Sequence, residues 1–183
     1  MTRRSLLIGG VAGATAATAI VGSLATNADS VWYRTRGKPG FTPPTWAFPV
    51  AWTLLFADLA AVGGTTLADL DEDDPPEDEP PHDARDYAIA LGTNLALNAS
   101  WTVVFFRRHN LPLATLWAAA LTVSGADLVR RTAKVSRSRG AMLALYPAWC
   151  GFATVLSGAF WRRNGASRSG AGRGVGPRWR RDR

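Results

Sequence analysis

Residues 38–46 read Lys-Pro-Gly-Phe-Thr-Pro-Pro-Thr-Trp, and an apolar segment that carries Trp52 follows them directly. Residues 146–149 read Tyr-Pro-Ala-Trp and belong to the last apolar segment, which ends at Trp161. Aromatic rings therefore recur where apolar segments begin or end. An indole ring has an apolar body and one N–H donor, so it settles where hydrocarbon meets lipid headgroups. The pattern is typical of a membrane protein, and it also suits a pocket for a flat ligand.

Five apolar segments account for most of the chain. The mean hydropathy of the whole chain is near zero, at −0.02. This average conceals the apolar segments, because the polar residues are concentrated in a few places. Each segment has about 20 residues, enough for a helix to cross a hydrocarbon core of about 30 Å. We therefore predict an all-α integral membrane bundle of five transmembrane helices in one domain, residues 1–161, with a soluble bundle as the less favoured alternative. The predicted spans are residues 5–25, 46–68, 87–106, 111–129 and 141–161.

The charged residues are concentrated in a linker and a tail. Ten of the 14 acidic residues lie within residues 69–86, which we interpret as a linker between the second and third spans. From Arg162 onward lie eight of the 21 basic residues and one acidic residue, so residues 162–183 account for the whole net charge of +7. This Gly- and Arg-rich tail has too few apolar residues to order itself, so we predict that it is disordered.

The first span resembles an export signal. Arg3 and Arg4 precede a run of small apolar residues, as in a twin-arginine signal. Residues 25–28 lack a good pattern of small residues for cleavage, and the apolar run is long for a signal. We therefore expect a retained helix.

Basic residues beside the spans predict the orientation in the membrane. With five helices, the two ends of the chain lie on opposite sides. A cytoplasmic C-terminus places the basic first loop and the basic tail inside, and the acidic linker outside. Arg3, Arg4 and five basic residues between 130 and 139 favour the opposite choice. Because the tail has more charge, we expect a multi-pass protein of a bacterial-type cell membrane with its C-terminus in the cytoplasm.

Two features predict partners. A basic tail beside a bilayer is attracted to anionic lipids, by about 1 kcal/mol per residue. Nucleic acid is the less favoured partner, because the tail has no ordered element for reading bases. On the third span, Gly92, Ala96 and Ser100 recur at every fourth position, a spacing that lets membrane helices approach closely. A homodimer and packing within one bundle explain this spacing equally well.

Polar and aromatic residues share one face of the third span. Asn94, Asn98, Trp101 and Phe105 follow one another at intervals of four, three and four residues. Amides are costly in hydrocarbon unless they are hydrogen-bonded, so this face should point into the bundle. It could hold helices together or line a pocket, and the span alone leaves both open.

Two other spans also present aromatic faces. Trp52 and Phe56 lie one turn apart on the second span, and Trp149 and Ala153 lie one turn apart on the fifth. Pockets between helices are mostly apolar and contain few polar anchors. A packed aromatic core is the competing interpretation. Asp58, in the middle of the second span, has no partner nearby in the sequence and is a candidate contact for a proton or a ligand.

The sequence contains no pattern of catalytic or metal-binding residues. His82 lies in the acidic linker and His109 in a short turn, and no spacing of His, Cys and carboxylates matches a metal site. Ser and Thr residues have no base beside them in the sequence. We expect no catalytic residue, no metal and no required cofactor.

Taken together, the motifs resemble the tryptophan-rich sensory protein family, whose mitochondrial relative is the translocator protein or peripheral benzodiazepine receptor. The resemblance covers residues 32–164. Its motifs are Trp32-Tyr33, Lys38-Pro39, Pro43-Pro44 with Trp46, Trp52-Thr53-Leu54, Leu95 to Asn98, Trp101, Phe105-Phe106, Tyr146, Trp149, Trp161 and Asn164.

The resemblance implies a five-helix bundle, often dimeric, with a pocket under the first loop. In the family this pocket takes porphyrins, cholesterol-like lipids and drugs of the isoquinoline or benzodiazepine type. A tetrapyrrole such as porphyrin or haem, or a lipid-like small molecule, is therefore the expected ligand. To the residues that match by motif, the polar face of the third span adds Asn94. The expected ligand-binding residues are Trp46 in the covering loop and Trp52, Phe56, Asn94, Asn98, Trp101, Trp149 and Ala153 in the pocket.

The chain departs from the family pattern at several positions. Phe41 replaces a loop tryptophan, Trp117 replaces an aspartate, and Ser157 and Gly158 replace an asparagine and the tyrosine linked to cholesterol recognition. Cholesterol is therefore a poor candidate ligand.

The expected function is a membrane receptor or transporter-like protein that binds a tetrapyrrole. One alternative is an enzyme that degrades porphyrin with light and oxygen through Trp52 and Trp149. The other is a structural membrane partner whose pocket is filled by its own side chains.

Overall fold

The computed structural model describes residues 2–72 and 82–170, and within them it is helical without strands. Five of its helices are long and apolar enough to cross a membrane, the last of them formed by α6 and α7 together. This confirms the predicted all-α fold with five spans. The helices are α1 (Arg3–Ala25), α2 (Val31–Arg34), α3 (Ala47–Glu72), α4 (His82–Phe106), α5 (Leu111–Val135), α6 (Arg137–Leu143) and α7 (Leu145–Gly170).

The helices extend beyond the predicted spans. α3 continues to Glu72 and α4 begins at His82, so both ends of the predicted linker, residues 69–86, are helical. At the end of α3, ion pairs with basic residues of α1 and α6 balance Asp69 and Asp71, which lets the acidic sequence continue this helix. α7 continues to Gly170, so the tail predicted to be disordered from residue 162 begins as helix. The remainder of the predicted linker and tail lies outside the described residues.

Capping side chains mark the helix starts that follow turns. The side chains of Thr2 and Asn110 accept hydrogen bonds from backbone N–H groups three residues ahead, at 3.2 and 3.1 Å. Ser136 does the same for α6, which follows α5 through a sharp corner. Such caps satisfy N–H groups that have no partner within the helix. At this corner a Cβ on Gly140 would lie 2.7 Å from the Cβ of Ala133, so the corner requires glycine.

The five spans pack unevenly. The closest packing joins α5 to α7 and α1 to α3, whereas α3 and α7 touch at few positions. Gly64 allows α1 to approach α3, because a Cβ there would lie 3.3 Å from the Cα of Ile8. The half of the bundle away from the first loop is filled by fully buried side chains such as Leu128 and Leu143. The sparse contact between α3 and α7 leaves space in the other half.

Ion pairs close the end of the bundle that carries the acidic residues. Asp69 of α3 accepts from Arg139 of α6 and from Arg4 of α1, the latter at 2.8 Å. Arg4 also pairs with Glu72 at 2.8 Å. These contacts hold the ends of three helices together, which stabilises the bundle at this end.

Replacing Asp69 by Asn should lower the free energy of unfolding by about 1–2 kcal/mol, because a half-buried carboxylate shared by two arginines is lost. The matched control is Asp71→Asn, since Asp71, whose own side chain is 13% exposed, pairs with one arginine rather than two, and that partner, Arg3, is 79% exposed. Thermal unfolding in detergent should show a clearly lower midpoint for Asp69→Asn and a smaller decrease for Asp71→Asn. Equal midpoints for the two variants would contradict this account of the ion pairs.

Candidate functional site

A partly enclosed cavity of about 800 Å³ lies between α1, α3, α4 and α7, under the first loop. This volume falls in the range of about 300–1,000 Å³ that is usual for small-molecule sites. Its walls are mostly aromatic. The aromatic lining residues are Tyr33, Phe48, Trp52, Phe56, Trp101, Phe105, Phe106, Trp149, Phe152 and Phe160.

Two tryptophans of the lining lie on the helices that touch at few positions, Trp52 on α3 and Trp149 on α7. The ring of Trp52 lies 5.5 Å from that of Phe56 and 6.4 Å, edge to face, from that of Tyr146. The ring of Trp149 lies 5.4 Å from that of Phe152. Each indole is therefore held by neighbouring rings and also contributes to the cavity wall. Fixed aromatic walls of this kind suit a flat, apolar ligand.

A second aromatic group packs between α4, α7 and the first loop. Trp101 stacks on Phe105 at 5.4 Å, and its Nε1 donates to the backbone oxygen of Ala114 at 3.0 Å. Tyr33 of α2 stacks on Phe160 at 5.9 Å, with the ring planes 13° apart. These contacts hold the first loop against the bundle at the cavity.

Hydrogen bonds between buried side chains join α4, α5 and α7 behind the cavity. Asn98 Nδ2 donates to the hydroxyl of Tyr146 at 3.0 Å, and that hydroxyl donates to Asn94 Oδ1 at 2.7 Å. Asn94 Nδ2 donates in turn to Ser124 Oγ at 3.1 Å. A Cβ on Gly125 of α5 would lie 3.1 Å from the Tyr146 ring, so glycine makes room for this ring. The chain of hydrogen bonds fixes Asn98 at the cavity wall.

Six of the eight predicted ligand-binding residues line the cavity, and two lie elsewhere. Asn94 is fully buried one turn below Asn98, where it serves to hold helices together. Trp46 precedes α3 and is 67% exposed, outside the cavity lining. The six that line it are Trp52, Phe56, Asn98, Trp101, Trp149 and Ala153.

The sequence interpretation missed the contribution of α1. Small and aliphatic residues of this helix, Ala19, Ile20, Gly22 and Ser23, form one wall of the cavity. A Cβ on Gly22 would lie 3.5 Å from Thr102 of α4, so the wall approaches closely there. These residues have neither aromatic rings nor large polar side chains, which are the usual signs of a binding site in a sequence. The run of small residues was the single feature of the α1 sequence that could have indicated a wall.

Two other candidates lie away from the cavity. Asp58 does not line it, and its buried Oδ2 has no hydrogen-bond partner among the described residues. His109 stacks on Trp32 at 4.1 Å and has a positive φ of 54° in the turn between α4 and α5. Within residues 2–72 and 82–170, no group of three or more metal-ligating side chains comes together.

The fold and the cavity define a small multi-pass membrane protein that has an aromatic pocket between its helices. The model of the TspO/MBR family matches residues 11–162, and the chain belongs to this family. The motif resemblance and the integral membrane character are thereby confirmed.

Relatives in bacteria and archaea agree with this assignment. The tryptophan-rich protein TspO of Archaeoglobus fulgidus is 33% identical over 134 residues, 73% of this chain and 80% of the relative. The protein of the same name from Chlorobaculum tepidum is 31% identical over 159 residues, 86% of this chain and 95% of the relative. Protein CrtK of Rhodobacter capsulatus is 28% identical over 134 residues, 73% and 78% of the two chains.

Replacing Tyr146 by Phe should lower the free energy of unfolding by about 1–3 kcal/mol, because Asn94 and Asn98 each lose a buried partner. Thermal unfolding in detergent measures this loss. The control is Tyr33→Phe, since the Tyr33 hydroxyl makes no hydrogen bond with the described residues. An unchanged midpoint for Tyr146→Phe would show that the buried amides find other partners.

Proposed function

We propose that this protein is a membrane receptor or transporter-like protein that binds a tetrapyrrole, porphyrin or haem, or a related flat apolar ligand. The observation that carries the proposal is the cavity of about 800 Å³ that Trp52 of α3 and Trp149 of α7 line. A macrocycle placed there would bury its faces against indole and phenyl rings, which supplies both apolar burial and stacking. The open volume argues against the alternative of a pocket filled by its own side chains.

The buried polar side chains of the lining are few, as expected for a site that orients an apolar ligand. Asn98, Thr102 and Ser157 are the buried polar residues among them. The described lining residues include no His, Cys or Met. Tyr33 is the single described lining residue of a type that ligates haem iron, so the lining is poor in axial ligands, which favours a metal-free porphyrin.

The charges at the two ends support the proposed orientation. The first loop, the α4–α5 turn and the end of α7 lie together, since Arg107 contacts Leu24 and Asn164 contacts Gly37. This end carries the basic residues of the first loop, of the α4–α5 turn and of the end of α7, whereas the opposite end carries the acidic residues of α3 and α4 together with Arg3, Arg4 and the five basic residues between 130 and 139. A bacterial-type cell membrane with the first loop and the C-terminus in the cytoplasm fits this arrangement, with anionic lipids beside the basic residues.

A homodimer is part of the proposal. Gly92 and Ala96 of the small-residue stripe are exposed on the bundle, and a Cβ on Gly92 would meet no atom within 4 Å. The stripe is therefore not used for packing within the monomer at these positions. A second copy is the partner that its spacing favours.

Replacing Trp52 or Trp149 by Ala should weaken binding of protoporphyrin IX about 10-fold or more, because one aromatic wall is removed. Purified protein in detergent is titrated and the absorbance of the porphyrin is followed, since each substitution alters the protein's own fluorescence. Trp161→Ala is the matched control, because Trp161 is 43% exposed and does not line the cavity. Unchanged affinity in both cavity variants would refute the proposed site.

Light-dependent degradation of porphyrin remains a prediction of the resemblance. Illuminating the same samples in air and following the loss of porphyrin absorbance distinguishes degradation from binding. Loss of pigment faster than for free porphyrin in detergent would identify an enzyme. Loss at the free rate would leave binding as the function.

A further inference from the structure

The charges around the cavity are distributed unevenly. Among the described lining residues, Asp29 is the single charged side chain, and it is exposed. Two cations of the first loop, Arg36 and Lys38, lie outside the lining, over the rings of Trp32 and Tyr33. Protoporphyrin has an apolar macrocycle with carboxylates along one edge. A carboxylate buried in this cavity would have no cation to pair with, which is costly.

Lys38 lies immediately beyond the cavity wall. Its Nζ is 4.7 Å from the centroid of the Tyr33 ring, and Tyr33 lines the cavity. The ring of Tyr33 therefore separates the Lys38 ammonium from the cavity. Its side chain is exposed, and among the described residues no carboxylate pairs with it. A flexible stem and three donors allow a lysine to reach an anion near its ring contact.

The backbone of the loop is fixed at this position. Asn164 of α7 accepts from the N–H of Gly37 and donates to the oxygen of Gly37, both at 3.1 Å. Arg163 donates to the backbone oxygen of Lys38 at 2.7 Å. The backbone of Lys38 is therefore held at the cavity, while its ammonium, over the Tyr33 ring, has no anionic partner among the described residues.

A second cation stands beside Lys38. The guanidinium carbon of Arg36 lies 5.5 Å from the Trp32 ring, and the buried Nε of Arg36 has no hydrogen-bond partner among the described residues. Two cations thus lie over the rings of two consecutive residues, Trp32 and Tyr33, of which Tyr33 lines the cavity. Their combined charge attracts an anion to this edge.

We propose that Lys38 provides the cation of a carboxylate-binding subsite at the lip of the cavity. The macrocycle lies inside, and its carboxylate edge points toward the first loop. This inference rests on the proposed function and adds an orientation and a ligand preference, for the free acid over its ester. Burial raises the pKa of Tyr33, so its hydroxyl remains protonated at neutral pH and can donate to the same carboxylate.

The test compares protoporphyrin IX with its dimethyl ester, which has the same macrocycle and no carboxylate. Lys38→Gln should weaken binding of the free acid about 3- to 5-fold and leave the ester unchanged. Lys38→Arg should retain the preference. Arg34→Gln is the matched control, because it removes an exposed cation of the same loop region that has no described contact with the cavity. High salt should reduce the preference of the wild type for the acid.

The other outcomes overturn either the subsite alone or the subsite together with the proposed function. An equal loss of acid and ester in Lys38→Gln would mean that Lys38 acts through the loop conformation, which overturns the subsite. Unchanged affinity of Lys38→Gln for the acid would overturn it as well. Saturable binding of both compounds by the wild type keeps the proposed function intact in these cases. Binding of neither compound would overturn the proposed function together with the subsite.

Discussion

The hydroxyl of Tyr146, held between Asn94 and Asn98, is the interaction on which the rest of the structure depends. In a bilayer no water can satisfy these buried groups, so the three side chains must satisfy one another. The hydroxyl joins α4 to α7, two helices whose backbones scarcely meet, and Gly125 of α5 provides the space for its ring. The positions of the polar anchor Asn98 and of Trp149, one turn after Tyr146, follow from this contact.

The cavity results from a difference between the two ends of the bundle. At the acidic end, Leu128 and Leu143 fill the core and Asp69 ties three helices together. At the loop end, α3 and α7 touch at few positions, and the rings of Trp52 and Trp149 line the gap without closing it. The closely packed acidic end therefore holds together the helices that surround the cavity at the loop end. The loop closes over the gap through Tyr33 and through the paired hydrogen bonds between Asn164 and Gly37.

Much of this could be predicted from the sequence, because hydropathy and helical spacing act within one helix. Segment length gave the five spans, and the faces of α3, α4 and α7 gave Trp52, Asn98 and Trp149. Contacts between helices were harder to predict. The role of Asn94 depends on a tyrosine 52 residues away, and the wall formed by α1 depends on where that helix packs. Likewise, the continuation of α3 into the predicted linker depends on arginines from other helices.

The central claim is that an open aromatic cavity, rather than the outer surface of the bundle, is the ligand site. The most direct test is an experimental structure of the protein in lipid with bound protoporphyrin IX. The account predicts the macrocycle between Trp52 and Trp149, with its carboxylate edge at the first loop. Porphyrin bound on the lipid-facing surface, with the cavity closed by its own side chains, would contradict the account.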